Sequence, residues 1–246
     1  MEATWPTFND VFLTSIRWSV GLCGAAVGGL ALALGEALIA SRASYQANIL
    51  ARAIGGTMNF LRALPVIALV PLVQMFGVDE WWKISLIAWA ATFPIWLSIR
   101  QALNHPMIDT ELVLFGSGVS SSQIFWSYRF PRTLGGLING LEISIGVAWI
   151  SVVAAEWVGT FTTGFWAGGL GYKVLKAHDA NNIVGMLSCL GLFGVLGTLT
   201  AQIWSKIPFL IAFIHPGFDP TISNADISRL KYRLGNHPRT ESSYRH

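Results

Sequence analysis

The chain has 246 residues, of which 53% are hydrophobic and only 12% are charged, about half the charged share of an average soluble domain. This composition excludes an ordinary soluble enzyme or binding module and indicates a membrane protein. The formal net charge of +3 does not indicate a nucleic-acid ligand, because the positive residues lie in loops beside apolar segments. Cys23 and Cys189 lie within apolar runs, so we expect small buried side chains there rather than a disulfide or a metal site.

Five apolar stretches are long enough to form membrane-spanning helices, which need roughly 20 residues. They are predicted at 18–40, 53–78, 84–99, 134–155 and 180–205. Pro65 and Pro71 lie in the second stretch, and because proline lacks a backbone donor we expect that helix to be kinked or split. The stretch after Lys206 is too short to span and contains Pro208, which predicts an interfacial segment. The sequence therefore predicts an all-α membrane protein with five transmembrane helices.

The distribution of positive charge predicts the orientation of the chain. If the chain starts outside, 12 of its 16 Lys and Arg residues fall on the inner side, as the positive-inside bias requires. The four that stay outside are Arg17, Lys83, Lys173 and Lys176. This predicts an extracytoplasmic segment at 1–15, a transmembrane domain at 16–206, and an interfacial segment with a cytoplasmic tail at 207–246.

The segment between the third and fourth spans, at about 104–131, is predicted to be cytoplasmic and to contain two short helices. Asp109 is a plausible N-cap of the first helix, and Gly116 or Gly118 ends it. Ser120 and Gln123 have the spacing of a capping box, in which each side chain satisfies a free backbone amide of the other residue. Apolar side chains make this loop more hydrophobic than a solvated loop needs to be. It either packs on its own spans or contacts a partner.

This loop resembles the coupling loop of binding-protein-dependent ABC transporter permeases of the small type I class. Their motif places Glu-Ala-Ala before a glycine, and a hydrophobic residue followed by proline about a dozen residues later. Gly118 and Pro131 match the second half of the motif. The first half does not match, because residues 112–114 are Leu-Val-Leu and Glu111 lies one residue early. Because the first half of the motif is not matched, the chain could pair with a different permease that carries the complete motif.

The resemblance extends over about residues 12–206, through RALPVIALVPLVQMFGV, TFPIWLSIRQAL and AWISVVAAEWVG. The combination is most similar to the importer branch for nitrate, sulfonates, taurine and bicarbonate, whose members commonly begin with one further span. It implies the type I ABC permease fold in a bacterial inner membrane, paired with an identical or homologous second permease. The implied partners are two cytoplasmic ATPase subunits and an extracytoplasmic substrate-binding protein. ATP and Mg would be bound by the ATPases, with no cofactor in this chain.

The resemblance also implies which residues contact the ATPase. Ile124 and Phe125 would supply apolar burial, and Gly118 the turn between the helices. The full set of expected coupling residues is Glu111, Gly118, Ser120, Ser121, Ser122, Gln123, Ile124, Phe125 and Pro131.

Ionisable residues within spans are costly and indicate function by default. Glu36, near the inner end of the first span, is expected to reach interfacial water. Glu142 lies one helical turn from Asn139 and is expected to form an interhelical hydrogen bond. Glu156 ends the stretch AWISVVAAE that begins near Trp149, and the family resemblance makes a gate or a structural bond plausible there. Together these residues are the predicted translocation path or gate: Asn139, Glu142, Trp149 and Glu156.

Glycines also recur at helical spacing in the spans. Gly24 and Gly28 form one set, Gly136 and Gly140 a second, and Gly191, Gly194 and Gly197 a third. Small residues at this spacing allow helices to approach closely, so we expect these positions to be helix contacts rather than pore lining.

The sequence shows no pattern that supports catalysis. The five histidines lack metal-ligand spacing, and there is neither a nucleophile elbow nor a phosphate-binding loop. We therefore expect a non-catalytic permease subunit of an ATP-driven importer of a small solute, most plausibly an anion. The alternatives are a self-sufficient secondary transporter and a permease for an uncharged solute similar to a thiamine precursor.

Overall fold

A computed structural model describes residues 5–40, 45–76, 79–104, 113–114, 116–124, 130–158 and 168–214. Within these ranges the regular structure is entirely helical, as predicted. The helices are α1 (Phe8–Ala40), α2 (Tyr45–Arg62), α3 (Val66–Phe76), α4 (Glu80–Asn104), α5 (Ser121–Ile124), α6 (Phe130–Val158), α7 (Leu170–Asp179) and α8 (Ile183–Ile214). Four of them are long and apolar enough to cross a membrane, and the count is up to five if the bent pair α2–α3 is one span.

Helices α1, α4 and α6 form the packed centre of the fold. Arg17 of α1 contacts Glu80 at the start of α4, and Glu36 of α1 contacts Arg100 near the end of α4, so α1 and α4 run parallel. Glu156, near the end of α6, contacts the same Arg17, which makes α6 antiparallel to both. This is the order expected if α2 and α3 together carry the chain back between α1 and α4.

The contact between α1 and α4 depends on small residues four positions apart on α1. Gly21, Ala25, Gly29 and Ala33 are all buried on one face of the helix. A Cβ atom at Gly21 would lie 2.6 Å from Cγ2 of Ile87, so the two helices are too close for a larger residue. The sequence analysis predicted close contacts at Gly24 and Gly28. These two glycines make only ordinary van der Waals contacts, and the closest approach to α4 is at Gly21 and Gly29.

The predicted glycine contact on α6 is confirmed, whereas a Cβ atom at Gly191 or Gly194 of α8 would meet no described atom within 4 Å. A Cβ atom at Gly136 would lie 2.8 Å from the carbonyl oxygen of Ser98, and one at Gly140 would lie 2.7 Å from the Cα atom of Ile95. The backbones of α4 and α6 therefore touch. The buried hydroxyl of Ser144 donates a hydrogen bond to the Ala91 carbonyl oxygen across this contact (2.7 Å).

The second span is broken, as its prolines predicted. Helices α2 and α3 meet at 87°, with the break at Ala63–Pro65. The amides of Ala63 and Leu64 close the end of α2 by bonding to the carbonyls three residues earlier. Pro71 lies inside α3, so Pro65 is the proline that accompanies the break.

Three features differ from the sequence predictions. The chain forms helix α7 between the fourth and fifth predicted spans, where no helix was predicted, and Asn181 follows its end with a positive φ of 52°. Helix α8 does not stop at Lys206 but continues through Pro208 to Ile214, where an interfacial segment was expected. Cys23 is exposed, although Cys189 is buried as predicted. The tail at 215–246 lies outside the described residues.

Candidate functional site

The most distinctive feature of the structure is a set of charged and hydroxyl side chains, all buried except the partly exposed Glu80, at the N-terminal ends of α1 and α4 and the C-terminal end of α6. We call it the polar cluster, and its members are Asp10, Thr14, Arg17, Glu80, Lys83 and Glu156. The side chains of Arg17 and Glu156 are 1% and 0% exposed. Charged groups this deeply buried persist only when they are paired.

Arg17 is the hub of the polar cluster. Its Nε and Nη2 donate to the two carboxylate oxygens of Glu80 at 2.8 and 3.0 Å, a bidentate ion pair. Its Nη1 donates to Oε1 of Glu156 at 2.9 Å and to the carbonyl oxygen of Gly168 at 2.7 Å. One guanidinium therefore joins α1 to α4, to α6 and to the segment that precedes α7.

The formal charges of the polar cluster balance when Lys173 of α7 is counted with its members. Lys83 pairs with Glu80 and is 1% exposed. Asp10 has Lys173 of α7 as a more distant partner, with 3.9 Å between Nζ and Oδ2. Because each buried carboxylate has a cation nearby, the cluster is a closed ionic network rather than an open binding site. No group of three or more His, Cys, Asp or Glu side chains among the described residues is arranged to hold a metal.

The polar cluster also holds the first turn of α7. The free amides at the start of a helix need acceptors, and here α1 and α6 provide them. Gly169 donates to Asp10 Oδ1 (3.1 Å), Leu170 to the Thr14 hydroxyl (2.8 Å), and Gly171 to Glu156 Oε2 (2.7 Å). Gly169 has a φ of 118°, a conformation that favours glycine, and there is no room for a side chain beside the Glu156 carboxylate.

Sequence reasoning identified Glu156 but missed the residues around it. Arg17 and Lys83 were predicted to lie on the outer side, just before their spans, whereas the structure buries both within helices. The available signal was the spacing of Asp10, Thr14 and Arg17, which places three polar residues on one face of α1. Their partners come from distant parts of the chain and could not be read from that spacing.

A second, smaller polar contact lies near the other end of α1. Oε1 of Glu36 is 3.0 Å from Nε of Arg100, and Trp96 donates its indole N–H to Oε2 of Glu36 at 3.1 Å. The Arg100 guanidinium also lies over the Trp96 ring, 5.2 Å from its centroid. Glu36 is therefore buried and paired, which corrects the expectation that it reaches interfacial water. We call this contact the Glu36–Arg100 pair.

The other residues predicted for the path or gate are not brought together. Trp149 is 9% exposed and stacks on Trp18 of α1 with 5.0 Å between ring centroids. Its indole N–H donates to the hydroxyl of Thr200 on α8 at 3.0 Å, so this residue joins three helices. Asn139 and Glu142 are exposed on α6, about 26 and 21 Å along the helix from Glu156 at 1.5 Å per residue. Their interhelical hydrogen bonding stays a prediction.

The local geometry predicted for the coupling loop is confirmed where the structure describes it. Gly118 has a φ of 78°, and the Val119 amide bonds to the Leu114 carbonyl across it at 3.2 Å, as at a glycine helix end. Ser120 and Gln123 form the capping box, with the Ser120 amide 3.1 Å from Oε1 of Gln123 and the Gln123 amide 3.3 Å from the Ser120 hydroxyl.

The remaining coupling residues are placed less completely. Ile124 is 2% exposed and packs within the chain. Its role in the ATPase contact stays a prediction. Ser121, Ser122 and Pro131 lie in helices α5 and α6. Glu111 and Phe125 lie outside the described residues.

Comparison with known proteins gives a consistent set of relatives. The family described as binding-protein-dependent transport system inner membrane component matches residues 26–207. The formylaminopyrimidine transport permease protein ThiX of Halalkalibacterium halodurans is 27% identical, over 69% of this chain and 67% of its own length. The putative aliphatic sulfonates transport permease protein SsuC of Escherichia coli is 28% identical over 63% and 59%. The nitrate import permease protein NrtB of Synechocystis is 27% identical over 84% and 70%.

The matches cover between 59% and 70% of the length of these three relatives. Among solved structures, the MetNI methionine ABC transporter in an inward-facing conformation matches with a TM-score of 0.64. That match has 21% sequence identity and covers 80% of this chain and 92% of the other. The likeness shows that the chain has the type I ABC permease fold.

Proposed function

Because the chain belongs to the family of binding-protein-dependent transport system inner membrane components, we propose that it is the membrane-spanning permease of an ATP-driven importer of a small solute. The family match over residues 26–207 carries this proposal, since it includes the packed helices, the polar cluster's Glu80 and Glu156, and the coupling loop. In this role the chain provides the route through the membrane. Separate ATPase subunits hydrolyse ATP, an extracytoplasmic binding protein delivers the solute, and a second permease completes the pair.

The proposed solute is a small anion such as nitrate, bicarbonate, a sulfonate or taurine. Relatives named for nitrate, for aliphatic sulfonates and for taurine support this class. The relative named for formylaminopyrimidine supports a second candidate, an uncharged pyrimidine. A self-sufficient secondary transporter has less support, because the matching family belongs to binding-protein-dependent transport systems and these relatives are named as permease proteins of transport systems.

The proposed orientation places the N-terminus outside and the C-terminus in the cytoplasm of a bacterium. The polar cluster then lies at the outer end of the bundle, and the coupling loop lies at the inner end. We assign the ATPase contact to the exposed side of this loop, which includes Val113, Gly118, Ser120 and Gln123. The buried Ile124 attaches the coupling loop to the rest of the permease. A movement of the ATPase against the exposed side of the loop is therefore transmitted to the transmembrane helices.

The polar cluster is proposed to be a brace rather than the solute path. All of its charges are paired and its described members are packed between three helices. Glu156 thus acts as a structural bond at the outer end, where it fixes α7 against α1. The exposed residues Asn139 and Glu142 remain the proposed polar positions along the path.

Gly118→Val tests the coupling assignment. A β-branched residue is strained at a φ of 78°, so we expect ATP hydrolysis by the assembled transporter to continue while binding-protein-dependent uptake falls by about tenfold or more. Uptake is measured with radiolabelled solute in proteoliposomes, together with phosphate release. Gly116→Val is the matched control, because Gly116 is helical and exposed with open space around it. Equal effects of the two substitutions would contradict the assignment.

Co-purification tests the function as a whole. The tagged chain should bring ATPase and binding-protein subunits with it from its native membrane. Uptake that persists when the ATPase is inactivated would instead favour a secondary transporter.

A further inference from the structure

One face of α6 is open in the part of the chain that the structure describes. It carries Gly135, Asn139, Glu142 and Gly146, which recur every three or four residues and therefore lie on one side of the helix. Asn139, Glu142 and Gly146 are exposed. A Cβ atom added at Gly135 or Gly146 would meet no described atom within 4 Å. We call these four residues the open face of α6.

Another side of α6 is already packed. Gly136 and Gly140 lie against the backbone of α4, and Ser144 donates its hydroxyl to a carbonyl oxygen of the same helix. The groove between α3 and α6 is lined on α6 by residues from Val147 to Trp157, so it begins beyond the open face. Neither α3 nor α4 therefore covers the open face.

The open face lies within the membrane span rather than at its edge. In the span Thr133–Trp157, Glu142 lies about 14 Å from one end and about 23 Å from the other at 1.5 Å per residue. Packing gives the same depth, because Gly140 meets Ile95 of α4 well away from both ends of that helix. A glutamate side chain is too short to reach water at either membrane surface from there. Lipid is a poor neighbour for such a carboxylate, so we expect protein or enclosed water to cover it.

Asn139 and Glu142 are complementary to a copy of themselves. The amide group of Asn139 has two N–H donors, and the carboxylate of Glu142 accepts hydrogen bonds. The two residues lie one helical turn apart on the same face. When two copies are related by a two-fold axis, a contact between Asn139 of one and Glu142 of the other is made twice. The flanking Gly135 and Gly146 allow two such helices to approach closely.

We propose that the open face of α6 is the contact between two identical copies of this chain, with Asn139 of each copy donating to Glu142 of the other. A different permease would need its own donor and acceptor at matching positions, whereas an identical copy provides them by symmetry. This inference rests on the proposed function and identifies its second permease as a copy of the chain. It places the two polar positions of the path at the contact between the copies.

Disulfide cross-linking in native membrane vesicles tests the contact. The two native cysteines are first removed by Cys23→Ala and Cys189→Ala, and Gly135→Cys or Gly146→Cys is then added to the full chain. Both glycines have open space for a side chain, so neither substitution disturbs the packing within one copy. Mild oxidation should convert the 26.8 kDa chain into a covalent dimer of twice that mass, because two-fold related cysteines near the contact can come within disulfide distance.

Val27→Cys in the same background is the matched control. Val27 is 71% exposed on α1, and its apolar side chain is suited to lipid. The next residue, Gly28, lies against Thr92 of α4, so Val27 is also in the middle of the bundle. Its cysteine should give little covalent dimer under the same oxidation.

A charge exchange tests the hydrogen bonds themselves. Asn139→Glu places four carboxylates at the contact and should weaken dimerisation by about tenfold or more, measured by energy transfer between labelled copies in proteoliposomes. Combining Asn139→Glu with Glu142→Asn restores a donor opposite each acceptor and should recover most of the lost affinity. Asn59→Glu, at an exposed asparagine of α2, is the control and should leave dimerisation unchanged.

The inference would be overturned if neither glycine position gave a dimer, or if Val27→Cys gave as much. A cross-linked product of one copy with a different permease would overturn it too. Unchanged dimerisation in Asn139→Glu, or no recovery in the double variant, would show that the open face meets lipid instead of a copy. All of these results leave the proposed function standing if ATPase and binding-protein subunits still co-purify with the chain. The absence of those subunits would count against the proposed function instead.

Discussion

An ion pair joins α1 to α4 at each end of the α1–α4–α6 bundle, and the two pairs differ in their burial and in their number of partners. At one end, Arg17 joins two carboxylates and a backbone carbonyl, and its side chain is 1% exposed. At the other end, Arg100 pairs with one carboxylate among the described residues, that of Glu36, and its side chain is 27% exposed. Both contacts tie α1 to α4, about 28 Å apart along α1 at 1.5 Å per residue. Because both ends carry an ion pair, we expect the difference in burial to decide how much each contact stabilises the bundle.

The largest effect is expected at the buried end. Arg17→Ala leaves Glu156 without its cation and Glu80 with Lys83 alone, so we expect the free energy of unfolding to fall by about 3–5 kcal/mol. Equilibrium unfolding in mixed micelles measures this loss. Arg52→Ala, at an exposed arginine of α2, should change it by less than about 0.5 kcal/mol. A small loss for Arg17→Ala would show that water reaches the polar cluster.

A smaller effect is expected when the polar cluster keeps its charges but loses one hydroxyl. Thr14→Val preserves the side-chain shape but removes the acceptor of the Leu170 amide and a donor to Glu156. Leaving a buried N–H unpaired should cost about 1–3 kcal/mol of unfolding free energy, and hydrogen exchange of the Leu170 amide should become faster. Thr198→Val is the control, because Thr198 is exposed and bonds only to its own helix. Equal losses in the two variants would argue against the α7 contact.

The smallest effect is expected at the more exposed end. Arg100→Ala leaves Glu36 with the Trp96 hydrogen bond and with access to solvent through the space that the arginine filled. We expect a loss of about 1 kcal/mol in the same unfolding measurement. A loss as large as that of Arg17→Ala would remove the distinction between the two ends.

The architecture of this chain could be predicted because hydropathy is a local property. The five spans, the break near Pro65 and the turn at Gly118 each depend on neighbouring residues, and the structure agrees with them. The ends of the helices were placed less well. Helix α1 begins at Phe8, well before the predicted span, because a charged Arg17 was taken as the border of the apolar stretch.

The polar cluster could not be predicted because its energetics are not local. Arg17 is stable inside the protein only because Glu80 and Glu156, 63 and 139 residues away, meet it there. The same holds for Glu36, whose partner Arg100 comes from another helix. The missed helix α7 is different: Leu170 and Ala177 are buried two turns apart, and Lys176 and His178 lie in its last turn, which is a pattern that could have been recognised.

The contact between the polar cluster and α7 is made to main-chain amides, at Gly169, Leu170 and Gly171. Side chains on the outward side of α7 can therefore vary without breaking these hydrogen bonds. Deleting one residue at the start of α7 would instead shift each amide away from its acceptor. Fluorescent or spin labels should be attached at exposed sites away from these hydrogen bonds, such as Asp179 or Ala180. Tags inserted between Gly168 and Gly171 should be avoided.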